Sequence, residues 1–476
     1  MKKFKFLSVL WISLLLFTGC TGYRGLNTES TMNKIPPLGV QAEKGDWVEE
    51  NWWKKLNDAQ LNGLVDEALA SHPTLNEAQS RIRQAQAAAG IAQSADAVQV
   101  NADAASTYQR FPKHESYPPQ FAGKKDTVNR VQVTAAYDFD LWGKNRAEYE
   151  AALGGVRVAE IEKEAAKLTL VSALVLDYVR LDSAFRTEDI KRGIIGRYGR
   201  ILDLQKKRYA AGLDSQENIK RTESAMHSAE ADIKQLQEEQ KLLKISIGTM
   251  TGKGAAHGLE IKRPAITSYA SGLPENLPAE LIGRRPDIAA QKWRIESMQK
   301  RIDSAKADFY PNVNLNAFAG LRSIGLNNLL KSGSGVFGVG PAVTLPIFNG
   351  GMLKSSLAMK NAEYDEAVER YNVLILNAVQ EVADIAVSGV ENRKQLDDRK
   401  EAVESLNNAK KLAELNYRNG LGSALPVLDT ELGILNAETA IVALESRQTE
   451  LAVSMSRALG GGTDTGIKES REKDHE

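Results

Sequence analysis

The feature that most limits the folds open to this chain is an internal repeat. Residues recur at a shift of 213 positions early in the repeat and 208 positions later. The matched pairs include Pro73 and Pro286, Arg81 and Arg294, Tyr209 and Tyr417, Gly212 and Gly420, and Leu213 and Leu421. Self-similarity of this kind predicts one structural plan written twice. We assign the two copies to residues 60–260 and 261–460.

Each copy contains two stretches in which apolar and polar residues alternate. This period of two is typical of a strand with one polar face. The alternating apolar residues are Val98, Val100, Ala102, Ala104 and Tyr108, then Val131, Val133, Ala135, Tyr137 and Phe139, then Val313, Leu315, Ala317 and Ala319, then Phe337, Val339, Val343, Leu345 and Ile347. The pattern predicts two β-hairpins, at about 98–140 and 311–347, each preceded by a helix.

Long helices are predicted after each hairpin. No proline, the residue that most surely breaks a helix, occurs between Pro119 and Pro264 or between Pro346 and Pro426. Apolar residues from Tyr364 to Ile385 follow alternating steps of four and three, which favours coiling against a neighbouring helix. A continuous helix of this length would reach on the order of 100 Å. The predicted fold class is mainly α, with four strands.

The continuity of these helices is left open by the sequence. Gly193 and Gly196 in the first copy, and Gly389 and the Asp397-Asp398 region in the second, are candidate junctions between shorter helices.

The N-terminus reads as a secretory signal. Lys2, Lys3 and Lys5 precede an apolar stretch at 6–17, and small residues stand directly before Cys20. Cys20 is the only cysteine. A cysteine in this place resembles the lipid-attachment site of bacterial lipoproteins, and a buried, unmodified thiol is the alternative.

We therefore expect a signal peptide at 1–19 and a lipid on Cys20. The other expected segments are a lipidated extended segment at 20–59 and a polar tail at 461–476.

Composition narrows the classes of protein. Lys and Arg total 61, as do Asp and Glu, so no net charge attracts nucleic acid.

Beyond the signal we expect no apolar run of the roughly 18 residues that a spanning helix needs. If the chain crosses a membrane, it does so with strands, and four strands are too few to close a barrel. Several chains would then pool their strands. The alternatives are a soluble sheet packed on its own helices and a lipid-anchored periplasmic coiled-coil scaffold or adaptor without a pore.

An enzyme is not indicated. The five histidines lie far apart without a metal-binding spacing, and GTMTGKGAAHG at 248–258 lacks the Ser or Thr that follows the lysine of a phosphate-binding loop. We predict no catalytic residues, no metal site and no cofactor other than the lipid on Cys20. The run Arg284-Arg285-Pro286-Asp287 is read as a helix start, since proline suits the first helical position and aspartate the first turn.

Several stretches resemble the outer-membrane factors, the TolC-like, OprM-like and NodT-like exit ducts of bacterial efflux systems. They lie in order in both copies and cover about 40–460. The stretches are WVEENWWKKLNDAQLNGLVDEAL at 47–69, DFDLWGKNR at 138–146, LIGRRPDIAAQKWRI at 281–295, PIFNGG at 346–351 and YRNGLGSALPVLD at 417–429.

The resemblance implies a passive channel that carries small molecules and drugs out of the cell. It implies a homotrimer with twelve strands in one outer-membrane barrel and twelve helices in a periplasmic tunnel. The implied partners are a periplasmic adaptor protein, an inner-membrane pump of the resistance-nodulation-division type and outer-membrane lipid. Cys20 fits the lipoprotein branch of the family.

The resemblance also assigns roles to residues at the helix reversals. The implied periplasmic gate residues are Tyr417, Arg418 and Asp429, with Tyr209, Asp214 and Glu217 as their first-copy candidates. The implied adaptor-contacting tips are Gly212, Leu213, Ser215, Gly420, Leu421 and Ser423. The sequence departs from the family at Gly422 and Pro426, where some members have charged residues, so a carboxylate ring is carried over for Asp429 alone.

Overall fold

The computed structural model describes Tyr23 and residues 25–34, 36–40, 47–115, 117–267 and 284–463. Cys20, the signal peptide at 1–19 and nearly all of the tail at 461–476 lie outside the described residues.

The described residues are mainly helical and include four strands, as predicted. The helices are α1 (Ala59–Ser71), α2 (Pro73–Gln93), α3 (Lys144–Ala210), α4 (Gln216–Met250), α5 (Ala255–Leu259), α6 (Pro286–Ala307), α7 (Met352–Arg418) and α8 (Leu425–Ala458). The strands are β1 (Gln99–Arg110), β2 (Lys125–Phe139), β3 (Asn312–Ile324) and β4 (Gly335–Thr344). Short 3₁₀ turns occur at Trp52–Leu56, Ser94–Asp96 and Leu326–Asn328.

The long helices match in length between the two halves of the sequence. Both α3 and α7 have 67 residues, and α4 and α8 have 35 and 34. The candidate junctions at Gly193, Gly196, Gly389 and Asp397-Asp398 are wrong, since each lies inside a continuous helix. An interior glycine costs only about 1 kcal/mol, which packing offsets. At Gly193 a Cβ would lie 3.5 Å from Leu435 Cδ2, an ordinary van der Waals contact, so the packing there does not require glycine.

The four strands form one antiparallel sheet in the order β1-β2-β3-β4. The predicted hairpins pair within themselves, with Val100 opposite Ala135 and Val313 opposite Val343. They also pair with each other, because Val131 on β2 lies opposite Leu321 on β3. Among the described residues β1 and β4 have no strand on their outer side, so the sheet has two open edges.

The register gathers the apolar residues of all four strands on one face. One row across the sheet runs Ala102, Val133, Ala319 and Phe337. The next row runs Val100, Ala135, Ala317 and Val339. This apolar face is exposed in the single chain, where Phe337 is 88% exposed and Val339 73%. Side chains this large need a partner surface, because soluble monomers rarely leave a broad apolar area in water.

The described chain divides into two compact units. The strand unit comprises the described residues within 1–32, 81–159 and 291–371, and the helical unit comprises those within 33–80, 160–290 and 372–476. Each unit takes segments from both sequence repeats. The compact units therefore do not coincide with the two sequence repeats at 60–260 and 261–460.

In the strand unit, the N-terminal segment packs beside the start of β3. Tyr23 contacts Phe309 edge to face, with ring centroids 5.4 Å apart. The backbone N–H groups of Glu29 and Ser30 donate to the carboxylate of Asp365, at 3.0 and 2.9 Å. These bonds hold an extended segment against α7.

The helical unit has a large core around Trp52, Leu61, Leu174 and Tyr178, all fully buried.

By length and composition, α7 includes an 18-residue stretch apolar enough to cross a membrane, so the expectation that no such stretch follows the signal is wrong. The prediction considered only uninterrupted apolar runs, whereas a stretch of high mean hydropathy can include a few charged residues. Glu381 on this helix pairs with Arg285 at 2.8 Å, a contact suited to packing against protein.

Candidate functional site: the helix turns and the polar sheet face

The two helix reversals have the same backbone geometry. In the first, Leu213 N–H donates to Arg208 O at 2.8 Å and Gly212 N–H donates to Tyr209 O at 2.9 Å. In the second, the bonds from Leu421 to Asn416 and from Gly420 to Tyr417 measure 2.9 and 3.1 Å. This pair of bonds defines a Schellman motif, whose left-handed residue is best served by glycine. Gly212 and Gly420 adopt φ values of +74° and +72°.

Side chains tie the first turn together. Asp214 accepts hydrogen bonds from Asn218 Nδ2 at 2.8 Å and from the Ser215 backbone N–H at 2.9 Å. Arg208 adds an ion pair to Asp214 at 3.3 Å and donates to Leu213 O at 2.9 Å. The bond from Asn218 and then that from Ser215 lower the pKa of Asp214, so the carboxylate stays charged. Ser215 also caps α4, because its Oγ accepts from the Asn218 backbone N–H.

The second turn lacks these ties. At the shift of 208, Gly422 and Pro426 replace Asp214 and Asn218, and Asn416 replaces Arg208. Within the described part of the chain, no side chain caps the start of α8, where Pro426 occupies the first turn. Of the predicted gate residues here, Tyr417 is 52% exposed. Asp429 is exposed in the single chain and makes no hydrogen bond or ion pair with the described residues, and partial desolvation raises its pKa.

Beyond the turns, α3, α4 and α8 meet in a small apolar cluster of Ile194, Ile201, Ala229 and Leu432. Beside it, Glu431 on α8 lies between two cations. Lys410 Nζ is 2.9 Å from Glu431 Oε1, and Arg197 Nε is 2.6 Å from Glu431 Oε2 without the alignment of a hydrogen bond. The sequence analysis did not predict these ion pairs of Glu431, because Arg197 is far from it in sequence and no local pattern connects the two.

The run around Pro286 begins α6, as predicted, with Asp287 in the first turn. Arg285 pairs with Asp287 and Glu381, each at 2.8 Å, and donates to the carbonyl oxygen of Ala458. Burial opposes the charge of Glu381, but hydrogen bonds from Arg285 and Arg457 outweigh it and lower the pKa of Glu381. The cluster joins the start of α6 and the end of α8 to the interior of α7, which is a structural role.

The polar sheet face carries few ionisable residues. Arg130 Nε donates to Asp103 Oδ2 at 2.8 Å across β1 and β2. Arg322 on β3 lies directly opposite Arg130. The strand periodicity was sufficient to place both arginines on the polar face, although the sequence analysis did not single them out.

The predicted site residues therefore fall into two groups at the two turns. Tyr209, Gly212, Leu213, Asp214, Ser215 and Glu217 lie at the first turn, and Tyr417, Arg418, Gly420, Leu421, Ser423 and Asp429 lie at or just after the second. Glu217 is engaged on its own helix, with Arg221 at 2.7 Å. Leu213 and Leu421 at the two tips are 66% and 77% exposed, which leaves them free to contact another molecule.

The amino-acid sequence of this chain is similar to those of known proteins. A family model described as outer membrane efflux protein matches residues 64–253 and 277–461, more than half of the chain. The multidrug resistance outer membrane protein MdtP of Escherichia coli is 30% identical over 438 residues, which cover 90% of this chain and 89% of that protein. The fusaric acid resistance protein FusA of Burkholderia cepacia is 33% identical over 366 residues, which cover 75% of this chain and 69% of that protein.

A solved structure has the same fold. The outer membrane protein VceC from Vibrio cholerae superposes with a TM-score of 0.79 at 32% identity, covering 87% of this chain and 100% of that one.

Proposed function

The chain belongs to the outer membrane efflux protein family, and we propose that it is the exit duct of a tripartite efflux system, a passive channel for small molecules. The observation that carries this proposal is the sheet. One face is apolar in all four strands and is exposed at Val100, Val133 and Phe337. The other face carries Asp103, Arg130 and the amides of β3. Such a sheet suits lipid on one side and water on the other.

The strand lengths suit a membrane. The four strands have 12, 15, 13 and 10 residues, and a transmembrane strand needs about 9–11. Open edges cannot face lipid, because their unpaired backbone groups have no water to bond. Pairing the β4 edge of one chain with the β1 edge of the next satisfies both edges. Three chains then give twelve strands, the number that the family resemblance implies.

The long helices form the periplasmic part of the proposed duct, a twelve-helix tunnel in the homotrimer. It receives solutes from an inner-membrane pump of the resistance-nodulation-division type through a periplasmic adaptor. The adaptor contacts the helix tips at Gly212, Leu213, Ser215, Gly420, Leu421 and Ser423. Support for this contact comes from the exposure of Leu213 and Leu421, because covering exposed apolar side chains with a partner is favourable.

We place the periplasmic gate at the two turns, with Tyr417, Arg418 and Asp429 on one side and Tyr209, Asp214 and Glu217 on the other. The ties around Asp214 hold the first turn in one conformation, whereas the second turn keeps only its backbone bonds. A gate opens where the fewest bonds must break. The second turn is therefore the moving part.

Cys20 carries a lipid in this proposal, which adds an anchor in the outer membrane. Tyr23, three residues later, packs against Phe309 just before β3 begins. A tether starting there lies near one end of the strands, where the membrane boundary falls if the strands span it. A single lipid chain gives marginal anchoring, so the strands supply most of the attachment.

The test is conductance in planar bilayers together with drug export in cells. We expect purified trimers to conduct ions, and Gly320→Val to abolish both activities. A side chain at Gly320 would collide with the backbone of β2 at Val131 and Gln132. Gly340→Ala on β4, where nothing lies within 4 Å, is the matched control. Cys20→Ala behind a cleavable signal should still insert and export. Absence of conductance, even with Tyr417 and Asp429 replaced to loosen the gate, would favour a scaffold without a pore.

A further inference from the structure

Two arginines lie side by side on the polar face of the sheet. Arg130 on β2 and Arg322 on β3 are directly opposite each other in the antiparallel register. Like charges in this position repel and destabilise a sheet unless something neutralises them. Their presence calls for an explanation beyond the stability of the strands.

Only one of the two is neutralised. Arg130 forms its ion pair with Asp103, at 2.8 Å. The exposed side chain of Arg322 makes no ion pair or hydrogen bond with any residue that the structure describes. Asp103 faces Gln132 across the strands, and Gln132 faces Gly320, so the position beside Arg322 on its own strand has no side chain.

The other acids of this face lie too far along the strands to compensate. Asp126 and Asp138 are four and eight residues from Arg130 on β2. At the rise of a strand, their Cα atoms lie roughly 13 and 26 Å from the Cα atom of Arg130. At physiological salt, exposed charges are screened beyond about 8 Å. Charges on a neighbouring chain would also be remote, because β4 separates β3 from the edge, and two strand spacings are about 10 Å.

We propose that Arg322 determines the ion selectivity of the channel by favouring anions in the strand barrel. This inference rests on the proposed function, since it needs three chains around one lumen. Three copies of Arg322 then stand at one level as a ring of uncompensated guanidinium groups. Small inorganic anions and anionic organic solutes are the ligand class that such a ring concentrates.

The experiment measures reversal potentials of single channels in a potassium chloride gradient at low salt, for wild type and Arg322→Gln. We expect the ratio of potassium to chloride permeability to rise about fivefold in the variant, the scale of one close charge interaction in water. Arg322→Lys should keep the wild-type ratio. Raising the salt to about 1 M should remove the difference, because the Debye length falls to about 3 Å.

Arg110→Gln is the matched control. It removes the same charge from the end of β1. The strand register places Arg110 on the other face of the sheet, directly across from Lys125 on β2. The control should leave the permeability ratio unchanged. Conducting trimers with the same ratio in wild type and Arg322→Gln would overturn the role of Arg322 and leave the channel function standing. Wild-type protein without conductance would overturn both.

Discussion

The two helix turns share a backbone and differ in their side chains. Gly212 and Gly420 have nearly the same φ, and the same two hydrogen bonds close each turn. Around the first, Arg208, Asp214 and Asn218 form a connected set of bonds. At the matching places the second turn has Asn416, Gly422 and Pro426. The two copies of this turn therefore share one backbone geometry. Among the described residues, only the first copy has side-chain bonds that hold the backbone in place.

The difference assigns separate tasks to the two turns. A polar network in which every member is satisfied holds one conformation. A turn with only backbone bonds opens locally at a lower free energy. The first turn therefore serves as a fixed support, and the second as the part of the gate that moves.

Transferring the first network to the second turn should have the largest effect. The triple variant Asn416→Arg, Gly422→Asp, Pro426→Asn adds three hydrogen-bonded contacts of about 1 kcal/mol each. The open fraction of the gate should fall about 100-fold, seen as closed single channels and loss of drug export. Gly422 can accept a side chain, since its φ is not left-handed and nothing lies within 4 Å of a Cβ there.

The control for this transfer is Asn416→Arg alone, which supplies the cation without its carboxylate. It should leave conductance near the wild-type value. Unchanged gating in the triple variant would show that the ties of the first turn do not decide which turn moves.

Removing the network from the first turn should have a smaller effect in the opposite direction. In Asp214→Ala, the groups of Arg208, Asn218 and Ser215 that bonded Asp214 turn to water, which recovers part of the lost energy. We expect longer channel openings and faster proteolytic cleavage near residue 213, at unchanged trimer yield. Glu217→Ala, which removes an exposed pair with Arg221 on the same helix, should change neither readout.

Replacing the turn glycines should affect both turns equally. Gly212→Ala and Gly420→Ala each place a side chain on left-handed backbone, at a cost of about 1 kcal/mol. Thermal unfolding should show equal losses of stability. Gly389→Ala inside α7 is the control and should be neutral or stabilising. Unequal losses at the two turns would mean that their backbones differ in the assembled protein.

The smallest effect concerns pH. The lowered pKa of Asp214 means that its contribution to stability is present above the ordinary aspartate value of about 3.9 and is lost as the pH falls through the lowered value. The raised pKa of Asp429 has the opposite sign, since its burial penalty disappears as the pH falls through the raised value. At neutral pH, Asp214→Asn should melt below wild type and Asp429→Asn above it.

On acidification the melting temperature of Asp429→Asn should converge with that of wild type first, and that of Asp214→Asn only at lower pH. Convergence in the reverse order would contradict the environments assigned to the two carboxylates.

Much of the fold followed from periodicity. The alternation around Val100 and Val313 predicted the strands, and the absence of proline predicted α3 and α7. The pairing of Val131 with Leu321 did not follow, because it joins residues far apart in sequence that no local pattern connects. Glycine patterns misled at Gly193, because one interior glycine costs a long helix only about 1 kcal/mol and does not break it.

The site was predicted in part. Gly212 and Gly420 marked the turns, since left-handed backbone favours glycine. The contacts of Asp214 depend on the rotamers of Arg208 and Asn218, which sequence spacing does not specify. The same is true of the two arginines: Asp103 pairs with Arg130, and Arg322 has no ion pair with the described residues.

Hydrogen exchange of the turn amides in the purified trimer tests the central claim most directly. The Ser215 amide donates to Asp214, whereas the Ser423 amide at the matching place is not held by an aspartate side chain. We predict slower exchange at Ser215 than at Ser423 after correction for intrinsic rates. Equal exchange at the two serines, or slower exchange at Ser423, would contradict the assignment of a fixed first turn and a moving second turn.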